Sequence, residues 1–274
     1  MTLGRPEVQR LLEERGLRPS RALGQHFVAD PNTVRRVVRL AGVEPGSAVV
    51  EVGPGLGSLT LALADAGAAV VAVEVDPALA AVVREAVAGR PVAVVEADAL
   101  HVDWERLLAG PVPGSPAGAE AWSLVANLPY NVATPLVVEV LERAPRVRRL
   151  LVMVQREVGE RLAAAPASAA YGAVSVKVAY WATASVVGRV PATVFVPRPR
   201  VESALVRIDR RDAPAVPASV VGYDRFSAVV RAGFAHRRKM LRRALAGVVA
   251  PEAFALAGVA PEARAEELDV EAWG

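Results

Sequence analysis

The residues Asn127-Leu128-Pro129-Tyr130-Asn131 directly follow the apolar run 122–126. An amide, a backbone carbonyl and an aromatic ring at the end of one strand can hold a planar base by its exocyclic amine. The lone pair of such an amine is delocalised into the ring, so group transfer to it needs acceptors that hold its protons. The Asn127 side-chain oxygen and the Leu128 carbonyl are such acceptors, and Tyr130 can stack on the base. Taken alone, this short match is explained equally well as a turn, bounded by Pro129, that caps a strand.

A glycine-rich turn lies earlier in the chain, between a predicted strand at 48–52 and a helix. It reads Gly53-Pro54-Gly55-Leu56-Gly57, and glycines at this place let the backbone approach a nucleotide closely. Ser58 stands where a dinucleotide-binding fingerprint has its third glycine. Glu51, just before the turn, suits a cationic ammonium or sulfonium better than a pyrophosphate. The pattern therefore favours S-adenosylmethionine over NAD, bound by Glu51, Gly53, Gly55 and Gly57.

Two further carboxylates end the next two predicted strands. Glu74 lies 21 residues after Gly53, where an acid can accept the hydroxyl protons of a ribose. Asp98 follows the third strand, beside the place where an adenine would lie. Each acid alone is explained as a helix cap or a solvated strand end, and we expect Asp76 to be such a cap. Three acids at successive strand ends on one sheet edge favour a binding site.

The strands that must position these residues are predicted at 48–52, 69–75, 92–96, 122–126 and 150–154. They are apolar on both faces and alternate with amphipathic helices, which is typical of a parallel sheet covered on both sides. We therefore predict a doubly wound α/β fold, with late strands at 184–190 and 204–208. The pattern at 171–180 fits a helix or a strand. After a proline-containing linker at 210–219 the pattern is helical, so we predict domains at 1–211 and 212–274.

Length and composition exclude several classes of protein. The chain has 274 residues, enough for one large and one small domain. It has no cysteine, which excludes disulfides, thiolate metal sites and cysteine nucleophiles and fits an intracellular setting. The N-terminus is charged throughout, which argues against a signal peptide, and no uncharged apolar run reaches roughly 18 residues. We expect a soluble, cytoplasmic protein without a bound metal, because neither His101 nor His236 has partners for a metal site.

The net charge of +3 conceals a strong asymmetry. Residues 51–110 hold 3 basic and 9 acidic residues, a net of −6, whereas residues 188–243 hold 13 and 4, a net of +9. A solvated surface is the ordinary explanation of such blocks. For a basic block of this length, binding to a polyanionic partner is an equally good explanation.

Several ordered motifs resemble the rRNA adenine N6,N6-dimethyltransferases, specifically the enzymes of small-subunit ribosome maturation. The resemblance extends from about Leu23 to the end of the chain. The motifs are Leu23-Gly24-Gln25-His26-Phe27, Glu51 to Thr60, Asn127 to Asn131 with Thr134-Pro135-Leu136, Phe195 to Ser203 as F-x-P-x-P-x-V-x-S, and Phe234 to Leu241.

The resemblance implies a class I S-adenosylmethionine-dependent methyltransferase (Rossmann-like) domain with a small C-terminal helical domain that grips RNA. The target adenine would lie against Asn127, Leu128 and Tyr130, with Phe195 as a second aromatic wall. His26 and Val28 stand where the family usually has Asn and Leu. The implied cofactor contacts are His26, Val28, Gly53, Glu74, Asp98 and Asn127. The candidate RNA contacts are Arg198 and Arg200, which a solvated loop would explain almost as well, and Arg237, Arg238, Lys239 and Arg242 on a predicted basic helix.

The activity implied by the resemblance is dimethylation of two adjacent adenines in the 3'-terminal hairpin of 16S rRNA, within an assembling 30S particle, by a monomer. RNA shape and phosphate contacts would supply most of the affinity. Two alternatives stay open: a resistance-type dimethylase of large-subunit (23S) rRNA, and a non-catalytic RNA-binding assembly or transcription factor on the same fold.

Overall fold

The computed structural model describes residues 2–20, 22–110, 119–236 and 238–274, so the predicted loop at 111–118 lies outside the described ranges. The chain forms two compact units. The first comprises Met1–Gly159 and Ser185–Asp209, and the second comprises Glu160–Ala184 and Arg210–Gly274. The predicted division after residue 211 differs from this one, because residues 160–184 share a hydrophobic core with the C-terminal helices.

Nine strands are found within the described ranges. They are β1 (Phe27–Val28), β2 (Ala48–Val52), β3 (Ala69–Glu74), β4 (Val92–Glu96), β5 (Trp122–Asn127), β6 (Val147–Gln155), β7 (Ala182–Val190), β8 (Phe195–Val196) and β9 (Ser203–Arg210).

Seven of these strands form one sheet in the order β4-β3-β2-β5-β6-β9-β7, and β1 pairs with β8 separately. Strands β2 to β6 pair in parallel, and β9 joins β6 in antiparallel register. Every residue of β2 and β3 is buried, as expected for strands covered by helices on both faces. The doubly wound α/β prediction is confirmed.

Twelve α-helices are found within the described ranges, and those of the first unit alternate with its strands. They are α1 (Arg5–Glu14), α2 (Pro31–Ala41), α3 (Ser58–Asp65), α4 (Pro77–Ala86), α5 (Trp104–Ala109), α6 (Ala133–Arg143), α7 (Arg156–Leu162), α8 (Ala173–Trp181), α9 (Tyr223–Ala235), α10 (Leu241–Ala244), α11 (Pro251–Leu256) and α12 (Val270–Trp273).

Local sequence signals explain where two of these helices begin. Asp30 accepts hydrogen bonds from the N–H groups of Asn32 and Thr33, and Asp76 accepts from those of Ala78 and Leu79. In both helices the cap is followed directly by a proline in the first turn, where its missing N–H costs nothing. The cap at Asp76 was predicted, and the two caps fix where α2 and α4 begin.

The second unit has its own core, which includes five aromatic side chains. The ambiguous segment 171–180 contributes α8, because Tyr180 packs on Tyr223 and Phe226 with ring centroids 4.9 and 4.7 Å apart. Gly233 of α9 lies against Trp273, and a Cβ at this glycine would come 2.3 Å from Cη2 of the indole. The absence of a side chain at Gly233 is therefore a packing requirement.

Gly233→Ala should destabilise the second unit, although alanine is the better helix former by about 1 kcal/mol. Overpacking against the indole costs about 1–3 kcal/mol and should outweigh that gain. Thermal unfolding of the full chain measures the difference. Gly222→Ala is the control for an added methyl group without overpacking, because nothing lies within 4 Å of its added Cβ. Gly222 is the N-cap of α9, so this variant should lose only the preference of that position for glycine over alanine. A Gly233→Ala chain at least as stable as the wild type would contradict the packing described here.

Candidate active site

The carboxyl ends of β2, β3, β4 and β5 meet at one edge of the sheet and line a large cavity. The cavity encloses about 1230 Å³ of space free of protein atoms, counting its open mouth. All of its lining residues belong to the first unit. Most of them come from the entry loop 23–28, the glycine turn, the ends of β3 and β4, and the segment 127–132. The strand-end residues picked out by the sequence therefore surround one space.

The glycine turn is tied to the carboxylate at the end of β3. Oε2 of Glu74 accepts from the N–H of Gly55 at 3.1 Å, and Oε1 accepts from the N–H of Asp76 at 3.1 Å. Gly55 has φ +58, and a Cβ there would lie 2.9 Å from the ring of Phe27. Glycine is required at this position on both counts. Burial raises the pKa of Glu74, against the opposing effect of these hydrogen bonds.

Glu51 is a buried carboxyl group at the cavity. It is 1% exposed, and its Oε2 has no hydrogen-bond partner among the described residues. Oγ1 of Thr60, also fully buried, likewise has none within these ranges. Burial raises the pKa of Glu51 to about 8; the neighbouring Thr60 hydroxyl opposes the shift and the charge of Glu74 adds to it. A buried carboxyl group with an unpartnered oxygen is unfavourable in a core but suits a cationic ligand.

Asp98 occupies a more open place at the end of β4. Its side chain is about half exposed, Oδ1 accepts from the N–H of Leu100 at 2.9 Å, and Oδ2 lies 2.9 Å from Nδ1 of His101. The backbone hydrogen bond from Leu100, followed by the contact with His101, holds the pKa of Asp98 below its usual value. Asp98 therefore presents a charged acceptor at the cavity wall.

Asn127 joins the end of β5 to the entry loop. Its Nδ2 donates to the backbone carbonyl of His26 at 2.9 Å, which leaves Oδ1 as the acceptor of this amide. Leu128 is buried, and its N–H donates to the carbonyl of Met153 at 3.0 Å. No hydrogen bond to the carbonyl oxygen of Leu128 is found in the described part of the chain. Two acceptors thus follow one another at the strand end, as the base-holding hypothesis requires.

Tyr130 is half-buried at the same wall. Its hydroxyl lies 3.1 Å from Oγ of Ser203, and its ring lies 5.3 Å from that of His26, measured between centroids, at an interplanar angle of 31°. Nδ1 of His26 lies 2.8 Å from the carbonyl oxygen of Pro197. Burial raises the pKa of Tyr130, so its hydroxyl stays protonated at neutral pH.

Three further residues at or near the cavity were not predicted from the sequence as site residues. Nδ2 of Asn131 donates to the carbonyl of Ala22 at 3.2 Å, and Gln25 donates to the Asp76 carboxylate at 3.3 Å. Val8 of α1 is fully buried and lines the cavity. Asn131 and Gln25 stood within quoted motifs, whereas nothing in the local pattern around Val8 distinguishes it from an ordinary helix core residue.

A family model described as "Ribosomal RNA adenine dimethylase" matches residues 17–274. The chain belongs to this rRNA adenine dimethylase family. Ribosomal RNA small subunit methyltransferase A of Kineococcus radiotolerans is 50% identical to it over 274 residues, covering 96% of this chain and 87% of that protein. The protein of the same name from Nocardia farcinica is 48% identical over 282 residues, with coverages of 99% and 93%. The predicted family is confirmed.

Two solved structures have similar folds. The 23S rRNA methyltransferase ErmE aligns with a TM-score of 0.68 and 27% identity, covering 90% of this chain and 96% of ErmE. A dimethyladenosine transferase from Plasmodium falciparum aligns with a TM-score of 0.71 and 20% identity, with coverages of 89% and 93%, and this likeness concerns the fold alone. The predicted Rossmann-like methyltransferase fold is confirmed.

Most predicted cofactor positions of the dimethylase lie at the cavity. His26, Val28, Glu51, Gly53, Gly55, Glu74, Asp98 and Asn127 line it, as do Leu128, Pro129 and Tyr130. Gly57 does not line it: this residue has φ +83 and precedes α3, with its Cα toward Val83. Its left-handed backbone conformation lets the glycine turn lead into α3.

Phe195 corrects one prediction. It was expected to form a second aromatic wall for the base, but it is 0% exposed, packs in the core cluster with residues of α2 and β6, and is not among the cavity-lining residues. A ring fully enclosed by core side chains cannot also face a base. The backbone of Phe195 pairs with Val28.

The predicted basic helix is also wrong. Helix α9 ends at Ala235 and α10 begins only at Leu241, because Met240 before it is extended, with ψ 149°. Arg238 and Lys239 lie exposed in the intervening turn, and Arg237 lies outside the described residues. Arg242 is on α10 and pairs with Glu262 at 2.9 Å. Arg198 and Arg200 are exposed in the loop between β8 and β9.

The described residues contain neither a metal-binding cluster nor a membrane-spanning helix. No group of three or more histidine or acidic side chains within them could hold a metal ion. No helix within them is long and apolar enough to cross a membrane.

The raised pKa of Glu51 predicts a pH-dependent stability of the ligand-free chain. The folded protein keeps a proton up to about pH 8 that the unfolded chain releases near its ordinary pKa of 4.5. The free energy of unfolding should therefore fall between these pH values, by at most about 1.4 kcal/mol per pH unit from this group. Glu51→Gln, which cannot ionise, should lose this component and gain stability relative to the wild type as the pH rises.

Urea unfolding of both chains at several pH values between about 5 and 8.5 measures the difference. Glu13→Gln, at an exposed position of α1, is the control and should follow the wild type at every pH. Parallel curves for Glu51→Gln and wild type would contradict a protonated, buried Glu51.

Proposed function

We propose that this chain transfers methyl groups from S-adenosylmethionine to the N6 amines of adenines in small-subunit rRNA. The observation that carries the proposal is Asn127, whose Nδ2 is held by the His26 carbonyl so that Oδ1 remains as an acceptor at the cavity. The relatives named small subunit methyltransferase A, 45–50% identical over nearly the whole chain, support the choice of RNA.

The donor groups of the cavity fit S-adenosylmethionine. Glu51 is a buried carboxyl with an unpartnered oxygen, and a positively charged amino-acid moiety nearby would favour its ionised form. Glu74, with one N–H on each oxygen, retains lone pairs for the hydroxyls of a ribose. Asp98 would border the adenine of the cofactor. The glycines at 53 and 55 keep the wall free of side chains.

When bound, S-adenosylmethionine supplies an electrophilic methyl group on a sulfonium that leaves as a neutral thioether. The chain contributes acceptors for the amine: Oδ1 of Asn127 and the Leu128 carbonyl hold its hydrogens and favour a pyramidal nitrogen with an available lone pair. No general base is required, because the proton is lost after transfer. Catalysis then consists of positioning and local electrostatics.

Tyr130 would stack on the target adenine. A base reaches such a pocket only after it has been unstacked from its neighbours, so the stacking energy on Tyr130, about 1–3 kcal/mol, helps to offset that cost. Arg198, Arg200, Arg238 and Lys239, all exposed, are proposed to contact phosphates, with Arg237 and Arg242 beside them in sequence. From the family resemblance we propose that the chain dimethylates two adjacent adenines in the 3'-terminal hairpin of the rRNA. It would do so as a monomer, on an assembling 30S particle in the cytoplasm.

Purified 30S particles lacking the modification, incubated with radiolabelled S-adenosylmethionine and the chain, should acquire label as N6,N6-dimethyladenosine. ErmE, a 23S rRNA methyltransferase, is 27% identical to this chain, so large-subunit RNA is the necessary comparison substrate. Label in large-subunit RNA alone would contradict the proposed substrate. Label in neither would favour a non-catalytic RNA-binding role.

In the same assay Asn127→Ala should lower kcat at least about 100-fold, the usual cost of removing one positioned hydrogen-bonding group from a transition state. Asn32→Ala is the control, because Asn32 is exposed on α2, away from the cavity. Unchanged transfer by Asn127→Ala would refute the catalytic assignment.

Tyr130→Ala should separate cofactor binding from transfer. We expect S-adenosylmethionine affinity, measured by calorimetry, to change less than about threefold, because the ring contributes to the base side of the cavity. Transfer to 30S particles should become undetectable. A parallel loss of cofactor affinity would instead place Tyr130 in the cofactor site.

A further inference from the structure

Tyr130 is held from two sides by residues that stand outside the proposed base-holding segment. At one end of the ring its hydroxyl meets Oγ of Ser203 at 3.1 Å. On one face it meets the ring of His26, with centroids 5.3 Å apart. All three residues belong to the first unit.

Ser203 is a rigid anchor. It is 0% exposed, begins β9 and pairs in register with Gln155 of β6. The preceding carbonyl, that of Glu202, accepts from the N–H of Arg156 at 3.0 Å. A buried hydroxyl needs a partner, and Tyr130 is the partner that the structure provides. The Tyr130 hydroxyl is therefore held in place by a residue of the sheet.

His26 is fixed in turn by the loop after β8. The carbonyl of Pro197 can only accept, so the 2.8 Å contact requires that Nδ1 of His26 carries the hydrogen. The backbone carbonyl of His26 accepts from Asn127. With the two rings already in contact, no base fits between His26 and Tyr130, so His26 supports one face of Tyr130 and the target base must use another surface of that ring.

We propose that Ser203 and His26 are positioning residues that fix the orientation of Tyr130 for the target base; the inference rests on the proposed function. Neither residue touches the base. The segment 195–203 acts through the Pro197 carbonyl and the Ser203 hydroxyl, while the ring of Phe195 stays in the core.

The Ser203 contact is tested by a double-mutant cycle. Ser203→Ala and Tyr130→Phe each remove one hydroxyl of the pair and should each lower kcat/KM for 30S particles about three- to tenfold, the worth of one hydrogen bond. The double variant should lose no more than either single one. S-adenosylmethionine affinity should stay within about twofold of wild type. Losses that multiply in the double variant would overturn the link.

The two contacts of His26 are separated by two substitutions. His26→Asn can still donate to the Pro197 carbonyl, because the asparagine amide reaches about where Nδ1 lies, but it lacks the ring. His26→Phe keeps the ring and loses the donor. Both variants are compared at saturating S-adenosylmethionine, because His26 is itself a proposed cofactor contact. We expect His26→Phe to retain the higher kcat/KM, because it keeps the ring that contacts Tyr130. A kcat/KM of His26→Asn equal to or above that of His26→Phe would overturn the positioning role of this ring.

A measurement independent of activity keeps this inference distinct from the proposed function. The chain has 4 tyrosines, so a chain labelled with 3-fluorotyrosine gives one ¹⁹F resonance for each, and Tyr130→Phe assigns the signal of Tyr130. Ser203→Ala and His26→Asn should each shift or broaden that signal and leave the other three in place. An unmoved Tyr130 signal would overturn the proposal. A moved signal in a chain that methylates no RNA would uphold it and refute the proposed function.

Discussion

The hydrogen bond from Nδ2 of Asn127 to the carbonyl of His26 is the interaction on which the cavity depends. It joins residues 101 positions apart at 2.9 Å. The strand β5 fixes only the Cα of Asn127, and an unconstrained amide could turn either its donor or its acceptor towards the cavity. Because a carbonyl can only accept, this bond selects the orientation in which Oδ1 is available. The same bond holds the entry loop against the strand ends, so the wall and the acceptor form together.

The acids at the cavity are costly for the ligand-free chain. Glu51 and Glu74 are both buried, burial raises the pKa of both carboxyl groups, and the charge of Glu74 makes ionisation of Glu51 harder still. Replacing such groups by apolar ones would favour folding alone. At the ends of the adjacent parallel strands β2 and β3, these acids would stabilise a bound ligand that has a cationic centre and hydroxyl groups. At these two residues, the groups that suit a ligand lower the stability of the ligand-free fold. The buried strands β2 and β3, which pair along their length, contribute stability that offsets this loss.

Local patterns predicted the parts of this structure that local forces determine. The apolar runs predicted β2 to β6, and Asp76 predicted the start of α4, since caps and burial depend on neighbours in sequence. The basic helix at 237–242 was predicted because Arg238 and Arg242 are spaced one helical turn apart, opposite an apolar face. It was wrong because Met240 is extended and its backbone bridges to Arg264. Residues 160–184 joined the second unit through contacts with Phe226 and Leu268, which lie far along the chain. No local window contains these partners.

The cavity was predicted from residue types and from the family resemblance, and the error at Phe195 shows what these two sources omit. Phe195 and Tyr130 are both aromatic and both lie within motifs, and the family resemblance implied that both contact the base. The pairing of β1 with β8 turns the ring of Phe195 into the core, and that pairing depends on Phe27 and Val28, more than 160 positions away. The same pairing brings the Pro197 carbonyl to His26. The segment 195–203 thus contributes the Pro197 carbonyl and the Ser203 hydroxyl to the site, whereas its sequence motif indicated the ring of Phe195. A contact made by a backbone carbonyl does not depend on the type of side chain, so the sequence gives no sign of it.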